Sequence, residues 1–230
     1  MTDATPVTGE KPGFLVTFEG PEGSGKSTVI RAVAALLKAA GCDPLQIREP
    51  GGTEIGERIR NILLDEASEG MSGETELLLM VASRAQLVRE KIKPALAAGK
   101  LILCDRFADA SVAYQGFGRE LGTEAVHDLN RVALGGVVPD LTFLCMLPPE
   151  VGQSRLQNRA TDRLDHESSE FHAKVFKGYE AMAVSSDRRF QVIDAGASPE
   201  HMLAEVMQNL KKRFAHTEHE LLKNLLKNLD

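Results

Sequence analysis

The segment FLVTFEGPEGSGKST, residues 14–28, determines the fold expected for this chain. Its apolar start is typical of a buried strand. Residues Gly20 to Ser27 match the pattern G-x-x-x-x-G-K-[ST], and an amphipathic helical pattern follows over 27–40. A buried strand, a glycine-rich loop and a helix in this order predict a phosphate-binding loop at one edge of a parallel sheet.

Four further apolar runs predict strands that complete this sheet. With the first run, they are FLVTF (14–18), PLQIR (44–48), LILCD (101–105), LTFLCML (141–147) and FQVID (190–194). Helical patterns lie between them, the longest over about 74–98 with Pro94 near its end. Alternating strands and helices predict an α/β fold, a doubly wound five-stranded parallel sheet with helices on both faces.

The residue types of the loop suit a nucleoside triphosphate. Lys26 is expected to bridge the β- and γ-phosphates, and the Ser27 hydroxyl to reach Mg²⁺. The chain contains neither N-K-x-D nor D-x-x-G, so ATP is favoured over GTP. A purely structural glycine-rich turn is the alternative. The residues predicted to bind ATP are Gly20, Pro21, Glu22, Gly23, Ser24, Gly25, Lys26, Ser27 and Thr28.

Length and composition limit the possible organisation and partners. The 230 residues predict a flexible tail over 1–12, one domain over 13–215 with a lid at about 153–167, and an amphipathic helix over 216–230. That last helix is expected to dock on the domain, with partner binding as the alternative. The net charge of −6 argues against nucleic-acid binding, and no apolar stretch is long enough to cross a membrane. The three isolated cysteines predict free thiols, buried in two cases, in a reducing cytoplasm.

Charged residues near the carboxyl ends of two strands predict a second anionic ligand. Asp105 ends LILCD and is expected to hold the water shell of the metal, with helix capping as the alternative. Four arginines occur where a phosphate-donor loop does not need them: Arg48, Arg60, Arg84 and Arg106. Each alone is as compatible with a solvated surface position, but together they predict a phosphorylated acceptor.

Six segments, in this order along the chain, resemble the thymidylate kinases. They are FEGPEGSGKST (18–28), REPGGT (48–53), ASRAQL (82–87), CDRFADASVAYQG (104–116), PDLTF (139–143) and DRLDHE (162–167). The resemblance implies a Mg²⁺-dependent enzyme that transfers the γ-phosphoryl group of ATP to dTMP, giving dTDP, and that forms a homodimer.

The same resemblance implies roles in the acceptor site. Arg106 and Arg60 would approach the dTMP phosphate, and Arg106 would act in catalysis with Lys26. Arg84 would face the thymine carbonyl. Tyr114 would lie under the sugar and disfavour a 2′-hydroxyl, with core packing as the alternative.

Further acceptor-site residues follow from the resemblance. Glu22 would bind the 3′-hydroxyl of the sugar and point away from the ATP phosphates, an exposed acid without contacts being the alternative. Glu49 would lie near the acceptor phosphate and the metal, Gln115 would contact the base side, and Ser111 would complete the site. Met80 stands where the family usually has phenylalanine, which implies a looser preference for thymine unless Met80 only fills the core.

The segment RLQNRATDR supplies three lid arginines. Some members of the family have an arginine in the phosphate loop, where this chain has Glu22. The missing positive charge is therefore expected from the lid, with Arg159 or Arg163 at the transferring phosphoryl group and Arg155 at ATP. A solvated basic helix face is the alternative.

Two other functions remain open at this point. A deoxynucleoside kinase would use the same loop, with Glu49 as the base on a 5′-hydroxyl. A non-catalytic ATP-binding module would act through a partner. The arginines argue against both, because neither a neutral acceptor nor a missing acceptor needs so many cations.

Overall fold

A computed structural model describes residues 13–156, 162–185 and 187–215 of the chain. The predicted tail over 1–12 and the predicted helix over 216–230 lie outside these residues. No helix in the described ranges is long and apolar enough to cross a membrane.

The five predicted strands form one parallel sheet, which confirms the predicted fold class. The strands are β1 (Phe14–Glu19), β2 (Leu45–Arg48), β3 (Leu101–Asp105), β4 (Leu141–Met146) and β5 (Phe190–Asp194). Their spatial order is β2-β3-β1-β4-β5, so β1 and its loop lie in the middle of the sheet. Phe18 of β1 pairs with Asp105 of β3, which brings the ends of these strands to the same edge.

Helices connect the strands and cover both faces. The helices are α1 (Lys26–Ala39), α2 (Glu54–Leu64), α3 (Gly73–Leu87), α4 (Lys93–Ala97), α5 (Ala108–Ser111), α6 (Thr123–Leu134), α7 (Pro149–Leu156), α8 (Ser169–Ala183) and α9 (Pro199–Ala215). A 3₁₀ turn (Glu66–Ser68) follows α2. One π-helical segment (Val88–Ile92) joins α3 to α4 without a break, and another (Val112–Gly118) continues directly from α5.

Alternating side chains of the central strands fill two separate cores. Val16 and Phe18 pack with α1 and α9 on one face of the sheet. Leu15 and Ile102 point to the other face and pack against the long helix that begins with α3. The central strands β1, β3 and β4 are therefore buried on both faces, as their continuous apolar runs predict. The edge strands β2 and β5 are partly exposed, because each has a neighbouring strand on one side only. Cys104 and Cys145 are buried free thiols, and Cys42 is a half-buried one.

A smaller cluster borders the carboxyl edge of the sheet. Leu63 of α2, Met80 of α3 and Leu164 form its buried centre. Leu164 belongs to the stretch that follows residues 157–161, so this cluster attaches the end of the predicted lid to α2 and α3. The sheet thus supplies a rigid edge, and α2, α3 and the 162–167 stretch enclose the space beside it.

Candidate active site

A cavity of about 420 Å³ lies at this edge of the sheet. It is bordered by the glycine-rich loop after β1, by the residues that follow β2 and β3, and by one face of α3. The predicted site residues that line it are Glu22, Gly23, Ser24, Gly25, Lys26, Ser27, Thr28, Glu49, Arg60, Met80, Arg84, Asp105, Arg106, Ser111, Tyr114, Gln115 and Arg155. Residues from six distant parts of the sequence therefore share one concave site, as ligand-binding sites of parallel sheets do.

The glycines of the loop are required by its close packing. Gly20 has φ of 136°, and a Cβ atom there would lie 2.3 Å from the carbonyl oxygen of Cys145. Gly23 has φ of 71°, and its Cβ atom would lie 2.4 Å from the carbonyl oxygen of Gly152. Only glycine adopts such positions without strain. The loop is thereby held against β4 and α7 while its remaining backbone faces the cavity.

Lys26 is a buried cation with neutral partners only. Its Nζ donates to the carbonyl oxygens of Gly20 and Pro21, at 3.0 and 2.8 Å, and to the Ser24 hydroxyl at 3.1 Å. Burial and the nearby Arg106 lower the pKa of Lys26. In the described part of the chain, no carboxylate lies within ion-pair distance of this ammonium group. A phosphate bound in the loop would supply the missing negative charge.

The Ser27 hydroxyl and Asp105 form a pair of hard oxygen donors. The Ser27 Oγ donates to the Asp105 Oδ2 at 2.5 Å, across 78 residues of sequence. A hydroxyl and a carboxylate beside a phosphate-binding loop fit Mg²⁺, which keeps several waters and takes few protein ligands. Among the described residues, no cluster of three His, Cys, Asp or Glu side chains is present that would indicate a different, all-protein metal site.

Glu22 is held by Arg106 and Tyr114. Its carboxylate lies 2.6 Å from the Arg106 Nη2, and it accepts a hydrogen bond of 3.2 Å from the Tyr114 hydroxyl. The Arg106 guanidinium also lies over the Tyr114 ring, 4.9 Å from its centroid. The alternative of an exposed acid without contacts is therefore wrong for Glu22. Its predicted bond to a sugar hydroxyl stays a prediction.

The backbone and side chain of Arg106 are fixed from several directions. Its φ is 65°, in the left-handed region, and its N–H donates to the carbonyl oxygen of Phe18 at 2.9 Å. Its Nη1 donates to the Gly20 carbonyl oxygen at 2.8 Å and to the Tyr179 hydroxyl at 3.1 Å. Burial alone would lower its pKa, but Glu22 and Tyr114 raise it well above the usual value, so Arg106 is a permanent cation.

Arg84 and Glu49 form a buried ion pair in the wall of the cavity. The guanidinium lies 2.6 Å from Glu49 and also donates to the Ser111 hydroxyl, the Asn130 amide oxygen and the Phe107 carbonyl oxygen. Every nitrogen of Arg84 thus has a protein partner. The predicted contact with a thymine carbonyl requires one of them to be released, and the Ser111 hydroxyl is the partner that can rotate away.

The Glu49 carboxylate has one free oxygen. Its Oε1 is buried and has no hydrogen-bond partner in the described ranges. Burial raises the pKa of Glu49, and Arg84 opposes this shift. A buried acceptor without a partner is costly, so the predicted role of Glu49 near a metal-bound water or an acceptor phosphate has a free atom to perform it.

The two predicted arginines from β2 and α2 differ in their contacts. The Arg60 guanidinium donates to the carbonyl oxygen of Pro50 at 2.9 Å and has no ion-pair partner among the described residues. The Arg48 guanidinium is paired with Glu57 at 2.9 Å. Both line the cavity, but only Arg60 offers an uncompensated charge to an anionic ligand.

The lid arginines occupy separate places. Arg155 lines the cavity and donates to the carbonyl oxygens of Gly23 and Ala195, at 3.3 and 3.0 Å. Arg159 lies outside the described residues. Arg163 is buried, lies 2.6 Å from Glu76 and donates to the Leu63 carbonyl oxygen, so it does not line the cavity. The expectation that Arg163 reaches the transferring group does not fit these contacts, because its charge is already used by a buried carboxylate.

Several residues that the sequence analysis does not single out support the site. Glu19 accepts a hydrogen bond from the Phe107 N–H at 2.7 Å and another from the Tyr179 hydroxyl at 3.3 Å. Glu76 binds the Gln115 amide at 2.9 Å. Phe107 also lines the cavity. The signal available for Glu19 was a charged residue directly at the end of the apolar run FLVTF.

Comparison with known proteins agrees with the geometry of the cavity. The family model for thymidylate kinase matches residues 18–206. A thymidylate kinase of Desulfovibrio desulfuricans is 47% identical over 200 residues, covering 84% of this chain and 92% of the relative. Those of Solidesulfovibrio magneticus and Bacillus pumilus are 48% and 43% identical, covering 81% and 85% of this chain and 93% and 94% of the relatives. The family model and these relatives show that this chain, with the phosphate loop and the cavity arginines described above, belongs to the thymidylate kinase family.

Proposed function

We propose that this protein transfers the γ-phosphoryl group of ATP to dTMP, giving ADP and dTDP. The observation that carries the proposal is the position of Lys26 and Arg106 in one cavity, together with Arg60. Lys26 and Arg60 have no carboxylate partner in the described part of the chain. Two phosphorylated ligands that meet in this space would satisfy both cations at once.

The loop after β1 is proposed to bind the donor. Its backbone N–H groups and the N-terminus of α1 face the β- and γ-phosphates, and Lys26 offsets the charge on the oxygens of the transferring group. Arg155 reaches from α7 to the carbonyl oxygen of Gly23 and is proposed to border ATP. Arg159 is the remaining candidate for the cation at the transferring group, since Arg163 is bound to Glu76.

Residues beyond the loop are proposed to bind the acceptor. Arg106 and Arg60 orient the dTMP phosphate, and Glu22 and Tyr114 border the sugar. The attacking phosphate oxygen already carries negative charge, so no general base is needed. The bond between the γ-phosphorus and the bridging oxygen breaks as the new P–O bond forms, and ADP leaves with the bonding electrons. Catalysis by these residues consists of alignment and charge neutralisation.

Mg²⁺ fits the donor set of Ser27 and Asp105, and Glu49 offers its free oxygen nearby. When bound, the metal would offset charge on the phosphate oxygens. The contribution of the chain itself is to hold the Asp105 carboxylate at the edge of the sheet and to orient the Ser27 hydroxyl towards it.

We further propose one kinase domain over 13–215 and a homodimer, without nucleic-acid or membrane partners. Exposed apolar side chains on three adjacent helices support the dimer: Ile55 and Ile62 of α2 and Leu78 of α3 are each at least half exposed, and Val132 of α6 is 74% exposed. A surface of this kind is usual for a contact between copies of a chain. Light scattering on the purified protein measures the mass directly, and a monomeric mass would refute the dimer.

A coupled assay of ADP release tests the proposed reaction. We expect turnover with dTMP and none with thymidine, whose neutral 5′-hydroxyl gives Arg106 and Arg60 no anion to bind. Turnover with thymidine in place of dTMP would indicate a deoxynucleoside kinase. ATP binding without transfer to any nucleotide would indicate the non-catalytic module, and either result would refute the proposal.

A further inference from the structure

Glu76 is a fully buried carboxylate beside the cavity. It lies in the first turn of α3, one turn before Met80 and two turns before Arg84, which both line the cavity. Its exposed fraction is 0%, and it does not itself line the cavity. Because residues four apart share one face of a helix, Glu76 continues the row of α3 side chains that borders the ligand space.

The partners of Glu76 keep it ionised. Its Oε2 accepts from the Arg119 Nη2 at 2.8 Å and from the Arg163 Nη2 at 2.6 Å, and its Oε1 accepts from the Gln115 Nε2 at 2.9 Å. Burial alone would raise the pKa of Glu76, but these hydrogen bonds lower it below the usual value. An ionised carboxylate accepts hydrogen bonds and donates none.

An acceptor-only group determines how the amide of Gln115 is oriented. The NH₂ group must face Glu76, because the reversed amide would bring two oxygens together and lose the hydrogen bond. The Oε1 atom is then the polar atom of Gln115 left for a ligand. This atom is buried and has no partner in the described part of the chain, while the side chain lines the cavity.

We propose that Glu76 is a positioning residue that sets the base selectivity of the site through Gln115. It holds the amide so that a carbonyl oxygen is offered to the base. Thymine and uracil present a ring N–H to such an acceptor, whereas the corresponding ring nitrogen of cytosine is itself an acceptor. A cytosine base would leave two facing acceptors unpaired, which is costly in a buried site. The proposal rests on the proposed function, in which a pyrimidine nucleotide fills this part of the cavity.

Substitution Glu76→Gln tests the proposal, because a neutral amide at position 76 can donate or accept. The Gln115 amide then gains a second orientation. We expect the ratio of kcat/KM for dTMP to that for dCMP to fall about tenfold or more, the size that one misoriented buried hydrogen bond produces. Glu167→Gln is the matched control. Glu167 pairs with Arg119 in the same cluster, and no hydrogen bond joins it to Gln115 in the described ranges, so its loss should leave the ratio unchanged.

The Gln115→Leu background separates positioning from a structural effect. There, Glu76→Gln should no longer change the ratio, although both variants alter thermal stability. An unchanged ratio in the single Glu76→Gln variant, or an equal fall in the Gln115→Leu background, would overturn the proposal. Absence of dTMP turnover in the wild-type protein would overturn the proposed function and the selectivity together, whereas turnover with an unchanged ratio overturns only the selectivity.

A measurement on the wild-type protein remains decisive if Glu76→Gln does not fold. The side-chain amide signal of Gln115, assigned by its loss in Gln115→Leu, should show slow proton exchange with solvent, because the NH₂ group is bound to Glu76. Exchange as fast as that of a free amide would show that Glu76 does not hold Gln115, and would overturn the proposal.

Discussion

Replacement of Glu19 by glutamine is expected to remove a large part of the pH dependence of stability. Glu19 ends β1, is 0% exposed and contacts the Phe107 N–H and the Tyr179 hydroxyl. Burial and the nearby Asp109 raise its pKa from 4.5 to about 8, against the opposing effect of Arg106. The folded protein therefore holds the proton of Glu19 more tightly than the unfolded chain does.

The size of this contribution follows from the shift. Because the pKa of Glu19 is higher in the folded state, its stabilisation is fully present below about pH 4.5 and is lost as the pH rises through about 8. A shift from 4.5 to about 8 corresponds to a free energy on the order of 5 kcal/mol. Between pH 5 and pH 8.5, about 4 kcal/mol of this should disappear.

Urea unfolding at these two pH values, with wild type and Glu19→Gln side by side, measures the effect. Glutamine resembles the protonated acid, since it keeps a carbonyl oxygen for the Phe107 N–H and carries no charge. Titrating groups far from Glu19 act on both proteins equally, so the difference between the two proteins isolates Glu19 together with its interactions with Asp109 and Arg106. We expect Glu19→Gln to gain stability relative to wild type as the pH rises. Parallel pH profiles would refute the argument that Glu19 is neutral in the folded protein.

Three further substitutions test other parts of the site. Lys26→Ala should lower kcat by about 10²–10³ with little change in circular dichroism or melting temperature, and unchanged turnover would contradict the proposed role of Lys26. Arg84→Met should destabilise the protein by about 3–5 kcal/mol in urea unfolding, because Glu49 is left buried and unpaired. An effect below about 1 kcal/mol would mean that Glu49 takes up a proton easily. Gly23→Ala should cost about 1–3 kcal/mol and raise the KM for ATP, since its Cβ atom would meet the Gly152 carbonyl oxygen; normal ATP affinity would show that the loop can shift.

The strands and the phosphate loop could be predicted because their signals are local. A continuous apolar run indicates a strand buried on both faces, and the loop pattern identifies the strand that precedes it. The parallel arrangement then places Asp105 at the same edge of the sheet as the loop, whereas the strand order that brings it beside Ser27 is seen only in the structure. The pattern over 74–98 also predicts a long helix, but the π-helical segment Val88–Ile92 inside it could not be seen, because one wider turn hardly changes the spacing of apolar residues.

The supporting network could not be predicted because it joins residues far apart in the sequence. The Glu19 and Tyr179 side chains are 160 residues apart, and those of Glu76 and Arg163 are 87 apart. In the sequence alone, a buried carboxylate and its partner cannot be distinguished from charged residues at the surface, because nothing local indicates that the two are in contact. For the same reason the sequence favours Arg163 as a catalytic residue, whereas the structure gives its charge to Glu76.

The adjacency of Asp105 and Arg106 has a consequence for how the reactants stay aligned. In the proposed function Asp105 serves the metal and donor half of the cavity and Arg106 serves the acceptor half, yet a single peptide unit of about 3.8 Å joins their Cα atoms. The turn of the backbone at Arg106, with φ of 65°, sends the two side chains apart. A movement of β3 within the sheet would therefore carry Asp105 and Arg106 in the same direction, and with them the parts of the proposed donor and acceptor sites that these two residues form.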